Sequence, residues 1–387
     1  MDLDFSPEQE LLRESVRGVC ARHAAPDVVR AMEDDPVGYP AELWRQLGEL
    51  GLIGLTLPER RGGSEMSMVD AMVVYEELGR SLAPSPHFVS SVMAGGLLVR
   101  AGTDEQRSSW LPRVASGEAI LSIAWVEPGR GFGPEGVRLR AERDGDGWRL
   151  TGTKQHVAFA GSAERLLTLA RTDEGVTLFL VDPQGDGVTL TQQRSMASDT
   201  QFRLDLDGAR VGEGDVVGTV GEGWAPWSHV LQDGLILLAA SAAGGAARAL
   251  EMTVQYSKDR RQFDKPLGAF QALSHYMADA ATTVDGAQAL VWEAAWARTA
   301  GRPVSRLAPM AKLFACQTFR DVTATCQQIY GGMGFTVECD IQLYFRRAKQ
   351  LQISWCDTRR LEELVAADVL DTERAAAPGV LPTPVPS

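Results

Sequence analysis

The chain is expected to adopt an α+β multidomain fold, with an all-α first domain, a middle β-barrel or sandwich, and a C-terminal bundle of four long helices. Three observations carry this. Apolar residues recur at helical spacing from Ser6 to about Gly117, and again after Gly223. Between Ala119 and about Gly221 the period drops to two. The 387 residues are too many for one ordinary core, and their 44% hydrophobic content is enough to fill two or three. The expected boundaries are 1–118, 119–222 and 223–370, with 371–387 as a disordered tail.

The first helix opens on Ser6-Pro7-Glu8-Gln9, where Ser caps, Pro takes the first helical position and Gln9 reaches back. Helices are expected at Ala41–Leu50, Met68–Arg80 and Thr103–Ser116. In the middle region Val137–Glu142 alternates, and Asp144-Gly145-Asp146-Gly147 turns the chain into Trp148-Arg149-Leu150. Further strands are expected at Leu166–Arg171, Val176–Val181, Val188–Gln192 and Phe202–Leu206. Short strands with Gly and Asp turns suit a small barrel or sandwich. The last region reads as helices Trp224–Arg260, Gly268–Ala300, Ser305–Gly331 and Ile341–Leu370, whose short joins imply an antiparallel bundle. Ala375–Ser387 is rich in Ala and Pro and has no period.

Acids outnumber bases by 51 to 38, and a formal charge of -13 repels phosphate backbones and anionic membranes, so nucleic acid is not an expected partner. The run Leu235–Ala247 is too short and too small-sided to span a bilayer and reads as a packed core helix. Met1-Asp2-Leu3-Asp4-Phe5 has neither the basic nor the apolar part of an export signal, so a cytoplasmic location is expected. Five cysteines without paired spacing imply reduced thiols, and five scattered histidines imply no metal site.

Two stretches carry chemistry. One is Arg260-Arg261-Gln262-Phe263-Asp264-Lys265-Pro266-Leu267, followed by Phe270-Gln271; the other is Gln328-Ile329-Tyr330-Gly331-Gly332-Met333-Gly334-Phe335. A dinucleotide diphosphate needs fixed positive charge and close backbone approach. Arg260 offers a permanently charged fork, and Gly331-Gly332 removes side chains where a diphosphate comes near. Gln271 and Gln328 offer donor and acceptor together to an adenine or ribose edge. The plainer reading makes Arg260 a solvated helix-end charge and the glycines a cap. Both motifs occurring in order favour the ligand.

These segments closely resemble the RxxFGxPLxxFQ signature and the QxxGGxGF segment of acyl-CoA dehydrogenases, a resemblance that spans about residues 3 to 366. It implies the acyl-CoA dehydrogenase fold and FAD shared across a subunit interface. Arg260, Phe263, Gln271, Gln328, Gly331 and Gly332 then hold the adenine and diphosphate end of an FAD bound chiefly by a neighbouring subunit. The ring end should be held by a TEPxxGSD motif and a WIT/S motif. Here the first reads Val126-Glu127-Pro128-Gly129-Arg130-Gly131-Phe132-Gly133, and the second leaves His156 and Ala158 in place of Trp and the hydroxyl residue.

Dehydrogenation removes an α-proton as hydride leaves the β-carbon, so a carboxylate must face the flavin. After Arg346-Arg347-Ala348-Lys349 the family's Glu position falls on Trp355; the alternative base position on the first bundle helix falls on Gly234. Asp233 and Asp357 lie within two residues of these places, but one residue turns a helical side chain by about 100°. The resemblance thus implies a non-catalytic subunit of a heterotetrameric, steroid side-chain type enzyme. A paralogous partner, in an α2β2 assembly, would bind most of the acyl-CoA and pass electrons to an electron-transfer flavoprotein or similar acceptor. Two alternatives stand beside it: a self-sufficient homomeric flavoenzyme using Asp233 or Asp357, and a structural relic without flavin.

Overall fold

A computed structural model describes residues 5–197 and 199–375. The first helical part comprises α1 (Pro7–His23), α2 (Pro26–Ala31), α3 (Ala41–Glu49), α4 (Met68–Arg80), α5 (Gly96–Ala101) and α6 (Asp104–Ser116). The cap expected at Ser6 forms: its hydroxyl accepts from Gln9 N while Gln9 Oε1 accepts from Ser6 N. Ser67 and Thr103 cap α4 and α6 by the same exchange. A stretch without a sequence expectation, Phe88–Gly95, winds as a π-helix directly into α5.

The middle part is one sheet of β1 (Leu121–Ala124), β2 (Arg140–Asp144), β3 (Gly147–Ala158), β4 (Arg165–Arg171), β5 (Val176–Val181), β6 (Val188–Gln193), β7 (Gln201–Gly212) and β8 (Val216–Val217). Its hydrogen-bonded path runs β6-β7-β3-β2-β4-β5-β8, and β1 joins β4 in parallel. The β3–β7 register shifts between Leu150 and Thr151 and again between Lys154 and Val157. The second shift sits at Gln155-His156, where an irregular backbone re-aims a side chain.

The third part holds α7 (Trp224–Asp259), a small hairpin of β9 (Arg261–Gln262) and β10 (Lys265–Pro266), then α8 (Gln271–Thr299), α9 (Leu307–Tyr330), α10 (Ile341–Ile353) and α11 (Thr358–Ala375). α7 is long and apolar enough to cross a membrane, yet it is mostly buried between α4 and the other bundle helices. It crosses α4 closely. A methyl group on Gly79 would fall 2.1 Å from Ser241 O, and one on Gly244 2.1 Å from Glu76 O.

The single helix expected over Ile341–Leu370 is two. Ser354 turns extended, and Trp355 (φ 52°) and Cys356 (φ 78°) occupy the left-handed region before α11 starts. α11 runs to Ala375, so 371–375 are helical where a tail was expected, and 376–387 lie outside the described residues.

Candidate functional site

The two motifs expected to hold a cofactor meet on one exposed surface of the bundle. Arg260 ends α7, and its guanidinium makes no hydrogen bond or ion pair among the described residues. Phe263 and Asp264 form the two-residue turn of the β9–β10 hairpin, with φ of 51° and 61°. This is the conformation of a tight hairpin turn, and Asp, standing where the signature has Gly, is among the residues that tolerate it. The turn leaves the Phe263 ring 87% exposed. Gln271 begins α8, and both it and Gln328 on α9 are exposed.

Gly331 ends α9 at φ 63°, and a methyl group on it or on Gly332 would meet nothing within 4 Å. The two motifs are tied together by Tyr256 and Tyr330, whose rings stack 4.1 Å apart and 10° from parallel. Tyr256 O accepts from Arg260 N at 2.8 Å, and Tyr330 immediately precedes Gly331. The free cation, the exposed amides and the open glycine backbone fit the adenine and diphosphate end of FAD.

The ring-end positions line a cavity of about 400 Å³ between the π-helix, the sheet, α7 and α10. Val126, Phe132, His156, Ala158 and Trp355 all line it. Its floor is aromatic: Trp355 meets Phe88 edge-on at 4.9 Å and Trp125 lies 5.4 Å from Phe132, while the fully buried Trp227, which does not line the cavity, packs on Trp125 at 4.7 Å. His156 sits at φ 57°, its N–H donating to Gln193 Oε1 and its Nδ1 lying 3.0 Å from Gln201 Oε1. It is a satisfied polar side chain. At the polar end Arg347, which replaces the Asp of the family segment, pairs with Asp199 at 2.7 Å, and Gln350 donates to the same carboxylate. Burial holds that carboxyl above its usual range.

None of the carboxylates near the expected base positions faces this cavity. A side chain at Gly234 would collide with Met93 and Phe88, so this face of α7 is filled by packing. Asp233, one residue round the helix, is held by Arg298 on α8 at 2.6 and 2.9 Å. Asp357 caps α11, its Oδ1 accepting from Arg360 N at 2.9 Å.

Two buried lysines hold the cavity walls, and neither was singled out from the sequence. Lys312 on α9 donates to Leu351 O, Ser354 O and Cys356 O at 2.8 to 3.0 Å, which uses all three of its protons and fixes the turn that carries Trp355. Burial pushes its ammonium below the usual range. The signal was a lone charge on the stripe Ala308-Ala311-Ala315-Phe319 of a helix otherwise facing the core. Lys154 on β3 donates to Glu127 at 2.7 Å and to Trp125 O at 2.9 Å, and burial lowers it to about 8. Glu127 also accepts from Arg138 N and Leu139 N. The surviving Glu of the altered motif is therefore a structural anchor.

His87 completes the wall. Its Nε2 lies 2.8 Å from Leu52 O, to which only a protonated nitrogen can donate, and with burial keeping the ring neutral Nδ1 is left to accept from the Tyr75 hydroxyl. Burial brings it down to about 4. Among the described residues no cluster of His, Cys, Asp and Glu could hold a metal ion, and the five cysteines are free.

Comparison with known proteins matches this architecture in order. Residues 6–118, 122–207 and 221–362 correspond to the N-terminal, middle and C-terminal domains of acyl-CoA dehydrogenases. Acyl-CoA dehydrogenase IpdE2 of Mycolicibacterium smegmatis is 35% identical over 345 residues, 89% of this chain and 93% of that protein. A variant of the Tcur3481-Tcur3483 steroid ACAD superposes with a TM-score of 0.85 at 32% identity, covering 96% of this chain and 99% of that one. The ChsE4-ChsE5 complex from Mycobacterium tuberculosis gives 0.87 at 28% identity, covering 98% and 100%. From its cofactor motifs, its three-part fold and these matches, the chain belongs to the acyl-CoA dehydrogenase family.

Proposed function

We propose that this chain is the non-catalytic subunit of a heteromeric, FAD-dependent acyl-CoA dehydrogenase, paired with a paralogous catalytic subunit in an α2β2 assembly in the cytoplasm. One observation carries the reading: within a single chain the adenine-side groups are free and open, while the two base positions are Trp355 and a glycine with no room for a side chain. Arg260 would hold the diphosphate, Gln271 and Gln328 the adenosine, and Gly331-Gly332 would admit its backbone approach, with Phe263 beside them. When bound, FAD supplies the oxidant for α,β-dehydrogenation of an acyl-CoA. This chain contributes binding and exclusion of water. The α-proton is taken by the partner, which also holds most of the acyl-CoA and faces an electron-transfer flavoprotein or similar acceptor.

A steroid side-chain thioester is the favoured substrate class. Its support is the likeness to a complex described as a steroid ACAD, which also makes a two-subunit assembly the natural comparison.

The decisive measurement is flavin absorbance per chain, alone and after co-expression with a paralogue that keeps TEPxxGSD and the Glu. The expected result is little flavin alone and about one FAD per heterodimer, because each diphosphate contact set serves one ring pocket. Near-stoichiometric FAD in the isolated, homogeneous chain would overturn the proposal.

A further inference from the structure

We propose that the cavity beside Trp355 binds a hydrophobic carboxylate, a ligand with an apolar body and one free anionic end. The inference rests on the reading that this cavity does not hold a flavin ring. Its 400 Å³ lie within the range of small-molecule pockets, and Ile123, Trp125, Val126, Phe132, Leu238 and Trp355 give it apolar walls.

The polar end decides the ligand's charge. Three ionised side chains line it: Arg194, Asp199 and Arg347. Asp199 and Arg347 neutralise one another at 2.7 Å. Arg194 makes no hydrogen bond or ion pair among the described residues, so one guanidinium is left over. A single uncompensated cation beside an apolar chamber matches a monoanion. A thioester carbonyl carries no charge to meet it, and a phosphate ester brings more charge than one guanidinium balances. Met196 and Ile353, 52% and 49% exposed, form an apolar rim through which such a molecule can pass.

The test titrates the full-length, flavin-poor chain with decanoate and with 1-decanol, read by tryptophan fluorescence, since Trp125 and Trp355 face the ligand. A saturable change is expected with both. Arg194→Gln should weaken decanoate by roughly tenfold or more and leave 1-decanol unchanged. Arg194 is exposed, so this variant keeps the fold. Ala158→Phe, which fills the chamber, should weaken both ligands. No saturable response, equal loss of both ligands in Arg194→Gln, or full binding in Ala158→Phe would each overturn the proposal. FAD content separates this failure from that of the subunit reading: stoichiometric flavin sinks the latter, whereas a flavin-poor chain that ignores decanoate sinks only the carboxylate site.

Discussion

Arg260 at the end of α7 and Arg347 within α10 carry the same guanidinium in opposite circumstances. Arg260 is exposed and bonds to nothing among the described residues, whereas Arg347 is closed onto Asp199 at the edge of an aromatic cavity. The contrast extends to their surroundings. Around Arg260 stand exposed glutamines and glycines with open space over them; around the cavity, His156, Lys154, Glu127, His87, Asp233 and Asp357 all have partners inside the protein. Free polar groups in a fixed arrangement are a surface prepared for something else to bind. Polar groups that satisfy one another are part of the structure.

If that division is right, changes to the paired groups around the cavity should move stability and changes to the free groups on the bundle surface should move flavin. The largest effect is expected from Lys154→Met, which strands the buried Glu127 carboxylate and should cost on the order of 3 to 5 kcal/mol in a denaturant titration. A loss below about 1 kcal/mol would show that Glu127 does not depend on Lys154.

Next in size is Arg260→Ala. Losing a charge-assisted contact of about 1.5 to 3 kcal/mol should weaken FAD roughly ten- to a hundredfold in the assembled complex, with subunit association and melting unchanged. Equilibrium dialysis against FAD measures this, and unchanged affinity would remove Arg260 from the cofactor surface.

A third outcome depends on pH. His87 has its folded value pulled from 6.5 down to about 4, so the unfolded chain takes up the proton first as pH falls, and stability is lost between about 6.5 and 4. At pH 5 the loss amounts to about 2 kcal/mol. Other groups titrate in the same window, notably Glu76, which burial raises to about 7 with the opposite sign. The clean reading is therefore the difference between the parent and His87→Gln. Thermal midpoints of the two should converge as pH drops from 7 to 5; parallel curves would mean the ring is not held neutral.

The smallest effect is expected from Asp233→Asn and Asp357→Asn, which should leave turnover of the complex within a few-fold of the parent. A general base is worth roughly a hundred- to ten-thousandfold. A collapse of that size with FAD retained would transfer catalysis to this chain.

Much of the fold was legible because it is written locally. The change of period near Ala119 and Gly223, the capping box at Ser6 and the Asp144–Gly147 turn each depend on neighbours in sequence. The two motif stretches were recognisable as family signatures for the same reason, being contiguous runs at two helix ends. The break at Trp355-Cys356 was not, since no glycine or proline marks it; it is held by Lys312, some forty residues earlier. The π-helix at Phe88–Gly95 has an apolar composition that suits several conformations. The cavity draws its walls from separate stretches around Phe88, Trp125, His156, Leu238 and Trp355, and no window of sequence holds two of them. Arg347 closing on Asp199 is likewise a long-range event.

The anchoring of Glu127 by Lys154 bears on how such chains drift over time. A lineage relieved of holding a flavin ring can exchange Thr, Ser or Trp around the pocket one substitution at a time. Each such exchange costs only a ligand contact. Glu127 and Lys154 are bound by a different obligation, since removing either leaves a lone charge in the domain core. What survives of an abandoned motif is then the portion that folding requires, and a Glu-Pro remnant is a record of architecture, silent about whether the cofactor was kept.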